Sequence, residues 1–192
     1  MRRMSSRVVA HRRRREQRTD YKQRLSLLKS GKPRLVIRAS GNSVACQIIS
    51  HDPKGDKTLA SANSFELKKH GWKGHTGNIP AAYLTGYLCG HKAKGKAKEA
   101  ILDMGLQTSS KGSRIYAALK GVIDAGLSIP HSEEILPSED RIKGKHVSEY
   151  AASLKAENPE KYQKHFSAYL KSSIQPEDLA KHFDEVKQRL AK

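Results

Sequence analysis

The sequence is poor in acid. Its 192 residues hold 19 Asp+Glu against 37 Lys+Arg, a formal charge of +18, and an excess of that size calls for a polyanionic partner. It is also poor in cysteine. Cys46 and Cys89 sit in apolar stretches with no partner at metal-ligand spacing, which argues against a disulfide framework or a Cys-based zinc site and reads as two buried thiols. No run of about eighteen apolar residues occurs, and the N-terminus lacks the apolar segment of a secretory signal, so the expectation is a cytosolic protein with no membrane contact. At 36% hydrophobic the chain lies below the globular average, but its length still supports one core with appendages.

The positive charge is unevenly placed. Residues 1–34 carry 13 basic and 2 acidic groups, a net +11; residues 35–129 carry 13 and 6, a net +7; residues 130–192 carry 11 of each. This divides the chain into a basic arm (1–33), a body (34–129) and an electroneutral extension (130–192), the last free to meet protein. The block Arg12, Arg13, Arg14, Arg15 repels itself and is expected to be disordered until it meets nucleic acid. Four contiguous arginines put charge all round a helix, which argues against a transit peptide. Beyond it, Leu25, Leu27 and Leu28 suggest a short helix capped by Thr19 or Asp20 and ended by Gly31 and Pro33.

The body alternates strand and helix patterns. Arg34–Arg38, Val44–Ile49 and Thr58–Ala62 read as strands joined by Ser40-Gly41-Asn42 and Asp52-Pro53-Lys54-Gly55-Asp56, which predicts an antiparallel meander. Asn78 and Pro80 open a helix through Ala81, Leu84, Tyr87 and Leu88. Ala100-Ile101-Leu102 is a short apolar strand, and Ser113 caps a helix with the stripe Ile115, Ala118, Leu119, Val122, Ile123, closed by Gly126. The order β-β-β-α-β-α implies a mixed sheet of α/β (α+β) class, with the fourth strand parallel to a neighbour. After Pro130 the prolines mark short helical segments. In the last, Leu179, Phe183, Val186 and Leu190 form a stripe that packs on the protein's own core or on a neighbouring protein.

Catalytic motifs fail on inspection. The string Gly90-His91-Lys92-Ala93-Lys94-Gly95-Lys96-Ala97 matches a phosphate loop until its last position, where Ala replaces the magnesium-binding hydroxyl, and it follows a helix where a strand is required. Asp56-Lys57-Thr58 reads as a turn. Asp103 and Asp124 are too few for two-metal nuclease chemistry, which needs several converging carboxylates. Two segments suit phosphate instead. In His70-Gly71-Trp72-Lys73-Gly74-His75-Thr76-Gly77-Asn78, glycines beside Lys73 and His75 let backbone N–H groups approach an anion, with Trp72 either stacking on RNA or anchoring the loop. Lys111-Gly112-Ser113-Arg114 lies at a helix N-terminus, which favours anions, or is an ordinary capped helix start. The competing classes are therefore an RNA-binding protein, a phosphoryl-transfer or nuclease enzyme, and a general nucleic-acid-compacting protein.

Several strings occur in an order seen in one family: Arg18-Thr19-Asp20-Tyr21, Lys29-Ser30-Gly31-Lys32-Pro33-Arg34-Leu35-Val36, Asp56 to Ala62, Gly71 to Asn78, Pro80 to Gly86, Leu102-Asp103-Met104-Gly105-Leu106 and Ile129 to Glu134. Over residues 12–155 the chain resembles archaeal large-subunit ribosomal protein L-eighteen, the counterpart of eukaryotic ribosomal protein L-five. The resemblance implies a protein that is not an enzyme and needs no cofactor, metal or small-molecule substrate. It implies binding of 5S rRNA and its attachment to large-subunit rRNA in the central protuberance, on a ribonuclease H-like core. The implied RNA contacts are Arg12, Arg13, Arg14, Arg15, Arg18, Tyr21, Lys22, Arg24, Lys29, Lys32 and Arg34, with Arg38, Lys73, His75, Lys111 and Arg114 as additions. The 5S-binding ribosomal protein L-five of the bacterial naming is the implied protein neighbour.

Overall fold

The computed structural model describes residues 9–191; Arg2, Arg3 and Arg7 of the arm and Lys192 lie outside the described residues. Strands β1 (Arg34–Ala39), β2 (Val44–Ser50) and β3 (Lys57–Asn63) are followed by a 3₁₀ segment (Ser64–His70), helix α3 (Ile79–Ala93), strand β4 (Ile101–Asp103) and helix α4 (Arg114–Asp124); two short arm helices, α1 (Arg12–Arg15) and α2 (Tyr21–Leu28), precede them. The sheet runs β3-β2-β1-β4, with β1–β2 and β2–β3 antiparallel and β1–β4 parallel. A parallel pair cannot be closed by a tight turn, and α3 is the helix that carries the chain across.

Period-two burial sorts the sheet into two faces. Leu35 and Ile37, Val44, Cys46 and Ile48, and Ala60 and Ala62 are buried on the face that meets the helices. On the other face, Arg34 and Val36 are also buried, which the alternation alone does not explain; the arm covers that side. Helix α3 is buried nearly all round, as expected of a helix enclosed by a sheet and a second helix. Asn78 accepts a hydrogen bond from the Ala81 N–H at 2.9 Å, the expected cap.

Helices α3 and α4 touch backbone to backbone. A Cβ on Gly86 would collide with the carbonyl oxygen of Ala118, and one on Gly121 with the carbonyl oxygen of Tyr83, so each helix offers a glycine to the other's main chain. Ser113 stands at the N-cap of α4 but makes no capping bond. Its buried Oγ has no partner among the described residues, a correction to the expected cap.

The extension folds as α5 (Glu139–Lys143), α6 (Lys145–Glu157), α7 (Pro159–His165), α8 (Ser167–Lys171) and α9 (Leu179–Ala191). The stripe Leu179, Phe183, Val186 and Leu190 joins the main core with Leu67, Trp72 and Tyr83, so its partner is this chain rather than a neighbour. Ala151, Tyr162 and Phe166 form a smaller cluster beside it. The basic string after Gly90 has a structural use: Lys92 and Lys96 each donate to a β3 carbonyl, Ser61 and Leu59, both at 3.1 Å. These lysines blunt the exposed edge of β3. No helix among the described residues is long and apolar enough to cross a membrane.

Replacing Gly86 or Gly121 with Ala forces the two helix backbones apart and is expected to cost about 1–3 kcal/mol, or roughly 2–4 °C of Tm per kcal/mol for a chain of this size. Thermal unfolding followed by the fluorescence of Trp72, the single tryptophan, measures this; an unchanged Tm would contradict the close contact.

Candidate nucleic-acid interface

The face of the sheet turned away from α3 and α4 presents Arg34, Val36 and Arg38 of β1, Ala45, Gln47 and Ile49 of β2, and Asp103 of β4, as the pairing of Val36 with Gln47 and with Asp103 requires. The arm lies across its β1–β4 half. Its helix α2 begins at Asp20, whose carboxylate accepts from the backbone N–H groups of Lys22 (2.8 Å) and Gln23 (3.1 Å). Its helix α1 is a single turn that buries nothing, where the sequence led us to expect no structure. The His11 and Tyr21 rings, 5.1 Å apart, tie α1 to α2.

An ion-pair chain fastens arm to sheet. Arg34 is only 3% exposed and donates to Asp103 through Nη1 and to Asp56 through Nη2, both at 2.7 Å. Asp56 also accepts from Arg24 of α2 at 2.6 Å. Asp103 also accepts from Arg38 Nη2 at 3.0 Å and from the Gly105 N–H at 2.9 Å. Burial pushes both carboxyls up. For Asp56 the hydrogen bonds from His51 and Arg24 and the charges of Arg24 and Arg34 outweigh burial; for Asp103 the bonds and charge of Arg38, with Arg34 and Gly105, do the same, so both titrate below the usual carboxylate range.

This geometry revises two assignments. Arg34, expected on RNA, is a buried guanidinium held by two carboxylates and cannot reach a phosphate. Asp103, weighed as a nuclease carboxylate, has both oxygens occupied by arginine or backbone donors. Asp124 lies elsewhere, accepting from the Tyr83 hydroxyl at 2.7 Å and pairing with Lys120 at 3.2 Å. Among the described residues no three His, Cys, Asp or Glu side chains cluster as metal ligands. The thiols are also inert: burial pushes Cys46 well above its ordinary value and Cys89 up to about 12.

Between arm and sheet is a cleft of about 660 Å³ that brings together Arg13, Arg18, Tyr21, Arg24, Arg34 and Arg38. A smaller hollow beyond Tyr21 adds Arg14 and Lys22, and a third, sharing Ala39, Leu106 and Gln107 with the cleft, reaches Arg114. Other expected contacts lie apart from it. Arg12 and Arg15 are exposed on α1, with Arg12 near Glu16 at 3.4 Å. Lys29 is exposed at the end of α2, Lys32 pairs with Glu99 at 2.6 Å, and Lys111 lies 3.4 Å from Glu134. Such exposed pairs are weak and open readily to a phosphate.

The glycine-rich loop divides its roles. Trp72 is 2% exposed, donates to the His75 carbonyl at 3.3 Å and stacks on His182, so it anchors the loop and does not stack on RNA. The Lys73 N–H donates to His182 Nε2, while the Lys73 and His75 side chains are exposed. His75 Nδ1 accepts from the Gly77 N–H, which leaves its Nε2 to face solvent as a donor when neutral. The Arg114 guanidinium bridges the β1–β2 turn to this loop through the carbonyls of Ser40 (2.6 Å) and Gly77 (2.9 Å). Sequence reasoning missed Leu106, 56% exposed at the cleft lip, and Gln107, whose side-chain amide pairs with both backbone groups of Ala39. An apolar residue after a glycine in a loop was the only available signal.

Because the Asp56 and Asp103 values are lowered on folding, the stability they confer is complete above their unfolded values, about 3.9, and is lost as pH falls through the lower folded ones. Acid titration of wild type against Asp103→Asn is expected to show a shallower loss in the variant. At neutral pH the variant leaves Arg34 half-paired and is expected to cost about 3 kcal/mol, read by urea unfolding. Equal stability of the two proteins would remove the network from this role.

A model of the family described as ribosomal large subunit proteins 60S L5, and 50S L18, matches residues 6–98 and 92–132. The match takes in the arm from residue 6, the whole sheet, both central helices and every arginine of the cleft. The chain belongs to this family of large-subunit ribosomal proteins, and is therefore an RNA-binding protein of the translation machinery.

Proposed function

We propose that this protein is a structural, non-enzymatic constituent of the cytoplasmic ribosome that binds 5S rRNA and helps attach it to large-subunit rRNA in the central protuberance. The observation that carries this reading is the arginine-lined cleft between arm and sheet, inside the family-matched stretch. Arg12, Arg13, Arg14, Arg15, Arg18, Tyr21, Lys22, Lys29 and Lys32 form the main RNA surface. Arg24 and Arg38 brace the cleft and border the RNA. Lys73, His75 and Lys111 extend the surface at the far end of the sheet, with Arg114 holding the two loops between them. Arg34 is excluded by its burial.

The division into arm, body and extension belongs to this reading, although α9 shares the core of the body. So does a ribonuclease H-like ancestry for the body, supported by the three-stranded meander, the parallel fourth strand and the helices on one face. An arginine-bound Asp103 is consistent with such a core adapted to hold RNA. Neighbouring large-subunit proteins, including the 5S-binding ribosomal protein L-five of the bacterial naming, are the proposed protein partners.

An arm that neutralises 6 to 10 phosphates makes affinity fall by about three to five decades between 50 and 200 mM salt. Changing Arg12, Arg13, Arg14 and Arg15 together to Ala is expected to flatten the slope of log K against log salt by roughly 3–4, measured by filter binding to 5S rRNA. An unchanged slope would take the arm out of the interface. Competition at fixed salt separates this reading from general nucleic-acid compaction: 5S rRNA is expected to displace duplex DNA, and equal competition would favour compaction.

A further inference from the structure

We infer that the cleft between the arm and the sheet seats one unpaired nucleotide of the bound RNA, its phosphate on the arginines of the rim and its base inside against Leu106. This rests on the RNA-binding reading and goes beyond it, since a charged surface alone would need only backbone contacts. The volume of about 660 Å³ is that of a small-ligand site. Stacked bases within an A-form duplex cannot enter such a recess, whereas a base splayed from a loop or bulge can.

The distribution of charge assigns the two ends of the ligand. At the floor, the three arginines Arg24, Arg34 and Arg38 face the two carboxylates Asp56 and Asp103, so most of the charge there is compensated. At the rim, Arg18 lies 3.6 Å from Glu16 in an open pair that leaves 68% of its side chain exposed, and Arg13 uses only Nε on the Thr19 hydroxyl. The phosphate therefore belongs at the rim and the base within, where Val36, Ile49 and Leu106 supply apolar contact.

The Gln23 side chain lines the cleft from its exposed wall, and its amide makes no hydrogen bond among the described residues. An exposed amide offers both a donor and an acceptor, the groups that pair with the edge of a base. Leu106, a large apolar side chain exposed at the lip and shared by all three hollows, is placed to pack against the base plane.

Two variants separate a seated base from plain charge attraction: Gln23→Trp fills the cleft, and Leu106→Ala removes its wall. Both are exposed positions, and circular dichroism verifies their folding. Each is expected to weaken 5S rRNA binding roughly tenfold to a hundredfold while leaving the salt slope unchanged, because no phosphate contact is removed. Wild-type affinity in both variants would overturn the seat and leave the 5S rRNA reading standing. A second measurement decides the seat even if 5S rRNA is the wrong RNA: NMR titration of the full chain with adenosine or uridine 5′-monophosphate, beside inorganic phosphate and the free nucleosides. Saturable shifts centred on the Val36, Ile49 and Leu106 methyls, given by a nucleotide and lost in Gln23→Trp, are expected. Absence of such shifts, or the same shifts with inorganic phosphate, would overturn the proposal.

Discussion

The buried guanidinium of Arg34 is the joint on which the docking of arm to sheet depends. It opens β1, yet it ties together a residue from the β2–β3 turn, Asp56, and a residue from β4, Asp103, and through Asp56 it reaches the arm. Removing a cation from water is unfavourable, and one carboxylate with good geometry seldom offsets that cost. Here two carboxylates converge on it, each with a further arginine, so the network alternates in sign from Arg24 through Asp56, Arg34 and Asp103 to Arg38. Alternation lets a strongly cationic protein bury arginine without concentrating like charge.

The two faces of the sheet have different tasks. One packs against α3 and α4, whose backbones approach closely through Gly86 and Gly121, and this stiff layer holds the strands in register. The other carries the polar network and the arm. The extension adds α9 to the stiff side, where His182 grips the glycine-rich loop through the Lys73 N–H. The loop's exposed Lys73 and His75 are thus positioned by a helix more than a hundred residues away in sequence.

Much of this was legible in the residues. Strand periodicity located all four strands within a residue or two, and the capping residues Asp20 and Asn78 act as their types predict. The mixed sheet followed from the element order β-β-β-α-β-α, because a helical crossover lets the fourth strand run parallel to a neighbour. What escaped was pairing over distance. Arg34 and Asp103 are 69 residues apart, so a linear count scores one as a free RNA cation and the other as a spare carboxylate. Asp56 looked like a turn residue because turns favour Asp for local reasons, and nothing local marks a second role. The 3₁₀ segment Ser64–His70 was missed, since its capping box, Asn63 with Glu66, sits in a stretch with weak apolar periodicity. Trp72 was ambiguous because burial, which decides its role, depends on α9.

The docking of α2 also bears on where the entropy of binding is lost. A free basic arm must surrender about 1–2 kcal/mol of backbone freedom for each residue it orders on RNA. With α2 already pinned by Arg24 to Asp56, the residues from Asp20 onward lose that freedom when the protein folds. Order already gained on folding is not lost a second time when a partner binds, so loosening this one ion pair would move that entropic cost to the binding step.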